Sequence, residues 1–282
     1  MEIVGSIVPE NVHIHYENED YFLKEQNQGL FNFDFKNVKE SLLFYLEGNG
    51  VKSKNYELSV IKTPTVIGFE MFLNYPLYTG KRDETIKNTG YGIVPEGTIV
   101  TWNINTLETD SLKFISDASY PFIQESNGNF SLVKQIRQSE NYQITTSNKK
   151  LNNYEKLNYT IEVIKDEYPK IEIKSDIDSV SRGPVQFAGQ LIDDYGLSKL
   201  NMVYYNLEDR ESKQYHSIDI RKSTFDEFYY VFSPIQLEIK EGVAYELYFE
   251  VFDNDAINGS KSVKSETYYY YNKTQQEITD EL

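Results

Sequence analysis

Few side chains in this sequence are of a kind that could carry out chemistry. Histidine occurs at positions 13, 15 and 216. His13 and His15 are two apart, so a strand would place both rings on one face, where they could supply two metal ligands. No third ligand is indicated nearby, and no metal centre is expected there. His216 would need a serine on a sharp turn to act in nucleophilic catalysis, and no Gly-x-Ser-x-Gly elbow is present. Cysteine is absent, which excludes disulfides, thiolate metal sites and thiol nucleophiles. Neither Gly-x-Gly-x-x-Gly nor Gly-Lys-Ser/Thr occurs, so no phosphate loop is indicated.

Carboxylates are plentiful, and two groups stand out: Asp193-Asp194 and Asp253-Asn254-Asp255. A glycosidase needs two carboxylates at a set separation, which a sequence does not supply. Both groups fall at strand ends, where Asp and Asn bond local backbone and build turns. Residues 253–259 superficially follow a calcium loop. However, the glycine falls at the seventh position rather than the sixth, and Lys264 stands where the twelfth-position acid belongs. An Asn258-Gly259 hairpin turn accounts for the segment more simply. Turn chemistry is therefore the expected role. No catalytic residue, cofactor or metal is expected, and calcium is expected to have no structural part.

The elements that must position these residues are strands. In Thr98–Ile104, Val100, Trp102 and Ile104 share one face, and in Tyr245–Val251, Tyr245, Leu247, Phe249 and Val251 do. Further strand patterns lie at Leu30–Phe35, Leu42–Glu47, Tyr56–Ile61, Val66–Leu73, Tyr159–Ile164, Val185–Ile192, Leu200–Tyr205, Phe228–Phe232 and Ser262–Tyr271. Helical periodicity is weak throughout. Aromatic residues make up 15 % of the chain, with 24 Tyr and 16 Phe, a balance that suits pleated, half-buried surfaces. Trp102, alone of its type and on an alternating strand, is expected in a core.

A formal charge of −16, with acids concentrated after residue 167, argues against nucleic-acid or acidic-membrane partners, which require Lys and Arg. No stretch approaches the length of a membrane helix, and the first residues lack the basic and apolar regions of a signal peptide.

A short repeat marks the joins between units. Tyr56–Ile61 runs into Pro64-Thr65-Val66-Ile67, and Tyr159–Ile164 runs into Pro169-Lys170-Ile171-Glu172-Ile173. Each reads as a last strand, a short linker and a first strand opened by proline, which lacks the N–H a ladder needs. The expected organisation is a small or partial sandwich over 1–63, an immunoglobulin-like sandwich over 64–166, a seven-stranded immunoglobulin-like sandwich over 167–272, and a polar tail over 273–282. In the last domain the run Leu237 to Tyr245, with Gly242 inside it, has the form of a tyrosine corner. There the hydroxyl of Tyr245 would bond backbone a few residues upstream.

The combination of Tyr168-Pro169-Lys170-Ile171, Phe187-Ala188-Gly189, Asp193-Asp194-Tyr195-Gly196-Leu197, Phe249 to Asp255 and Asn258 to Ser262 resembles a family of large Bacteroidetes membrane proteins classed as domain of unknown function 4175. Tyr75 to Gly80 and Val94 to Thr98 agree with it, and the likeness spans about residues 12–272. It implies a periplasmic, β-rich portion of an envelope protein anchored by helices outside this chain. It implies no catalytic residue.

Together these features point to an all-β protein of tandem immunoglobulin- or fibronectin-like sandwiches. The expected role is non-catalytic: structural, or docking a protein partner or flanking parts of the same protein. The rival reading is a carbohydrate-binding sandwich, with Tyr268 to Tyr271 as the conspicuous aromatic cluster. Alternation limits that cluster to two rings per face.

Overall fold

The computed structural model describes residues 1–4, 7–176 and 184–280. The protein is nearly all β, and its buried apolar side chains gather into three main cores in chain order. The first is small: Val12, Ile14, Leu23 and Phe31. Its sheet is centred on Val12–Tyr16 and Leu42–Gly48, and a short hairpin, Lys24–Asn27 with Leu30–Asn32, supplies Phe31 from outside that sheet.

The second core lies between two five-stranded sheets. Along Thr98–Leu107 every second residue is buried, as the pleat dictates, and Val100, Trp102 and Ile104 point inward. The facing sheet runs from Gly92–Pro95 through Lys156–Ile164, Glu140–Ser147 and Ser111–Ile115 to Ser119–Pro121. Its Gly92–Pro95 strand pairs parallel with Lys156–Ile164, while the other pairs are antiparallel. Trp102 is fully buried at the centre. Its Nε1–H donates to the Tyr142 hydroxyl at 3.0 Å, which donates to the Gly90 carbonyl at 2.6 Å. The indole therefore brings no unpaired donor into the core, the condition for burying a tryptophan cheaply.

The third core is closed by a three-stranded sheet (Lys170–Ser175, Val185–Ile192, Phe225–Phe232) over one built on Leu197–Asn206 and Ala244–Asp253. Gln214–Ile218 extends the second sheet on one side. On the other side Ser262–Lys264 and Tyr268–Tyr271 both pair with Ala244–Asp253. Those two are one edge interrupted by an irregularity at Ser265, whose N–H donates to the Phe249 carbonyl while its hydroxyl accepts from the Phe249 N–H. Counted so, the sandwich has seven strands among the described residues. Tyr245 is buried, and its hydroxyl accepts a 3.4 Å hydrogen bond from the Lys240 N–H; Gly242 turns the chain between them at φ +71°.

One expectation needs correction. The Asn258-Gly259 pair is not a tight hairpin turn: the ladder ends where Asp253 N–H meets the Lys261 carbonyl, leaving 254–260 as a longer loop. Gly259 takes the left-handed conformation (φ +89°) within that loop. Within the polar tail, Gln275–Asp280 forms a short helix. Its start is a reciprocal capping box, with Glu277 N–H donating to the Thr274 hydroxyl at 3.3 Å and Thr274 N–H donating to the Glu277 carboxylate at 2.7 Å.

Replacing Tyr142 with Phe leaves both the indole N–H and the Gly90 carbonyl without their partner. The middle domain should lose about 1–3 kcal/mol in urea unfolding followed by Trp102 fluorescence. An unchanged midpoint would show that the relay contributes nothing.

Candidate interdomain joint

Of the acidic turns singled out in the sequence, the 253–255 turn meets the linker between the second and third domains around one ammonium, and the Asp193-Asp194 turn lies beside them. Asp193 follows Val185–Ile192, and its Oδ2 accepts from the N–H groups of Tyr195 and Gly196 at 3.1 and 2.6 Å. Asp253 ends Ala244–Asp253, and its Oδ1 accepts from the Asp255 and Lys261 amides at 3.2 and 2.8 Å. Asp255 Oδ1 accepts from Ile257 and Asn258 N–H at 2.7 and 3.1 Å. These are the local bonds by which Asp builds turns. They also point the remaining carboxylate oxygens of Asp253 and Asp255 at one place.

Lys261 fills that place. Its Nζ lies 2.9 Å from Asp253 Oδ2 and 2.9 Å from Asp255 Oδ2, and it donates to Asp166 Oδ1 in the linker. The Asp166, Asp253 and Asp255 side chains are at most 1 % exposed, and that of Lys261 is 16 % exposed. Sequence reasoning missed both Lys261 and Asp166. Five residues separate Asp255 from Lys261, and Asp166 lies some ninety residues earlier, so no local pattern joins them.

Neutral contacts close the rest of the joint. Asn254 Nδ2 donates to the Tyr78 carbonyl of the second domain at 3.0 Å and to the Tyr195 carbonyl at 3.3 Å. The Tyr78 and Tyr195 rings meet edge to face at 5.6 Å. Ile257 packs on Gly97, which turns at φ +87°; a Cβ there would lie 2.6 Å from the Ile257 Cδ1. The loop 254–260 and Tyr195 thus bring the third domain against the second.

Electrostatics in the cluster follow from burial. Burial, reinforced by Asp194 and Asp253 and opposed by Lys261, pushes the Asp166 carboxyl up to about 7. Burial raises Asp193 as well, despite its two amide donors. For Asp255, burial is outweighed by Lys261 and the Asn258 and Ile257 amides, which hold it below the usual range. Lys261 would be lowered by burial, but Asp166, Asp253 and Asp255 raise it. One oxygen each of Asp166 and Asp193 is buried without a hydrogen-bond donor. Among the described residues no three His, Asp or Glu side chains are set to ligate one metal ion.

The joint between the first and second domains is different in kind. Lys62 pairs with Glu108 at 3.0 Å and its carbonyl accepts from Asn148 Nδ2 at 2.9 Å, all of it exposed. Beside it runs an open polar groove of about 880 Å³, lined by Ser41, Glu57, Lys62, Glu108, Asp110 and Lys150 among others.

The remaining sequence candidates lie elsewhere. His13 and His15 share a face, and each meets a carboxylate at 3.4 Å, Asp20 and Glu47 respectively. His216 lies in the third domain, against Tyr230. Around the first-domain histidines Phe22, His13, His15 and Tyr45 form a ladder of rings, with His15 stacked on Tyr45 at 4.6 Å and Lys52 over Tyr45. In Tyr268–Tyr271, Tyr268 and Tyr270 are buried in the third core and only Tyr269 is exposed.

No protein-family model matches the chain, and no curated protein matches it. Among solved structures, a candidate carbohydrate-binding protein of Bacteroides uniformis is similar over 58 % of this chain and 88 % of its own, at 10 % identity and TM-score 0.27. Extracellular domains 3–5 of Drosophila OTK are similar over 94 % of this chain and 85 % of theirs, at 12 % identity and TM-score 0.22. A marsupial T cell receptor is similar over 64 % of this chain and 94 % of its own, at 9 % identity and TM-score 0.22. At these scores none of the three bears on what the chain binds.

Removing the ammonium leaves buried carboxylates uncompensated. Lys261→Ala should cost about 3–5 kcal/mol at neutral pH, because breaking a buried ion pair from one side strands its partner. Circular dichroism of urea unfolding would register it, while Trp102 fluorescence, which reports the second domain, should move less. Equal shifts by both probes would mean that the damage is not centred on the third domain.

Proposed function

We propose that this chain is a non-catalytic spacer and protein-docking segment of an envelope protein, working on the extracytoplasmic side and anchored by parts outside it. The observation that carries the reading is the buried joint between the second and third domains. Relative domain motion is the default where sandwiches meet through small polar contacts. Here three aspartates around one ammonium, two tyrosines and an Ile257–Gly97 contact lie at the interface instead, as a spacer that must hold its domains in a set orientation requires.

A docking role is supported by the sheet edges. Phe225–Phe232 is an outer strand of its sheet among the described residues, and Phe225, Tyr229 and Val231 on it are exposed. A protein partner could add a strand there. The resemblance of residues 12–272 to the Bacteroidetes membrane-protein family supports the envelope context, and no helix among the described residues is long and apolar enough to cross a membrane.

The glycan-binding alternative is less well supported. Sugar rings stack on the free faces of aromatic side chains. Tyr268 and Tyr270 are committed to the core, and the faces of His15 and Tyr45 are turned toward each other.

Crosslinking pull-downs from native envelopes with this segment as bait, alongside fractionation of the full-length protein, test the proposal. The full-length protein should partition with the envelope, and a protein partner should be recovered whose capture falls when Tyr229 and Val231 are both changed to Lys. Recovery of the full-length protein from the cytosol, or saturable binding on a glycan array without any protein partner, would overturn it.

A further inference from the structure

The joint holds more negative charge than its one ammonium balances. Asp166 faces Lys261, Asp253 and Asp194, and it acts on the neighbouring hydroxyls of Tyr78 and Tyr195. Asp255 shares Lys261 with it, Asp193 stands beside Asp194 and Asp253, and Lys261 also lies 5.9 Å from the Tyr168 ring. Three carboxylates, from the linker and the 253–255 turn, thus surround one cation, with the Asp193-Asp194 turn beside them. Like charges gathered out of water do not all ionise together, so the group is relieved by taking up a proton or by moving apart.

Asp166 is the member for which moving apart is feasible. Asp193, Asp253 and Asp255 are pinned by two amide hydrogen bonds each within the third domain. Asp166 belongs to the linker, is held through Lys261, and has its Oδ2 buried with no donor. We propose that the joint between the second and third domains is a proton-set clamp, closed while the Asp166 carboxyl carries a proton and loosened when it ionises. The inference concerns this joint alone and stands or falls apart from the envelope role proposed above.

The direction follows from linkage. A carboxyl raised in the closed joint keeps its proton to a higher pH than in the open one. Its contribution to closure is therefore full in acid and is lost as pH rises through about 7. Asp255, held low, acts oppositely: its contribution is present at neutral pH and is lost only in stronger acid, as pH falls through its depressed range. Closure is favoured between these limits.

The absence of cysteine makes the test direct, since spin labels can be placed solely at Asn127→Cys in the second domain and Glu211→Cys in the third, both exposed. In the full chain, the pulsed electron-spin distance distribution should be narrow at about pH 5.5 and roughly twice as wide at about pH 8.5, with a population shift between two joint states. Asp166→Asn, which cannot ionise and keeps an oxygen for Lys261, should stay narrow at both. Lys261→Gln should be wide at both. The proposal is overturned if the unmodified joint gives one distribution at both pH values or if Asp166→Asn still switches. It is equally overturned if the width follows added calcium instead of pH, or if broadening coincides with loss of Trp102 burial or circular dichroism, which would make it unfolding.

Discussion

Charge compensation at Lys261 is the constraint on which the arrangement of the second and third domains depends. Three carboxylates almost without solvent contact share one ammonium, and two of them, Asp253 and Asp255, are oriented by amide bonds of their own turn. The backbone amides of the 253–261 segment fix Asp253 and Asp255, so the ammonium site is formed within the third domain before the linker reaches it. Among the described residues, Asp166 is then the one carboxylate on the ammonium that arrives from outside. A buried ion pair of this kind contributes little net stability over an apolar equivalent but tolerates few alternative geometries. Its effect is to select one docking arrangement over the others that three chance patches on two sandwiches would permit.

The apolar cores obey a simpler rule and set the platforms from which the joint is built. In the second domain the Trp102–Tyr142–Gly90 relay satisfies the polar atoms that a large aromatic core brings inside. In the third, Tyr245 meets the Lys240 amide and Tyr204 donates to the Leu237 carbonyl at 3.2 Å, so two tyrosines together hold the loop that enters the Ala244–Asp253 strand. That strand delivers Asp253 to the joint at its far end. Aromatic residues with one polar atom serve as fasteners between core and loop throughout, which is consistent with Tyr outnumbering every other aromatic type.

Strand alternation made most of this fold legible in the sequence, because a half-buried pleat writes its period directly into residue order. In Thr98–Leu107 the inward face of Val100, Trp102 and Ile104 was visible beforehand, and in Ala244–Asp253 that of Tyr245, Leu247, Phe249 and Val251, although Tyr248 on the opposite face is buried as well. The turn role of Asp193, Asp253 and Asp255 was legible for the same reason: it is local. Their convergence was not, since it depends on how two domains dock, and neither Asp166 nor Lys261 carries a local signature. The loop 254–260 was misjudged because Asn-Gly is the strongest short hairpin signal, and here the pairing ends earlier, at Asp253 and Lys261. The Gln275–Asp280 helix was missed although Thr274-Gln275-Gln276-Glu277 spells a capping box. Without an apolar face behind it, that box was a start signal with no periodicity to start.

Ile257 seated on Gly97 has a consequence for how such a chain is inherited. A glycine with a left-handed backbone and no room for a Cβ is a lock cut to one key. A copy of the third domain placed after an unrelated sandwich would present Ile257 to a surface with no matching hollow, and would carry its aspartates there without the linker acid that completes them. The unit that recombination could duplicate or move intact is therefore the pair of domains. The first domain, joined through an exposed Lys62–Glu108 contact beside an open polar groove, is the one that could be exchanged.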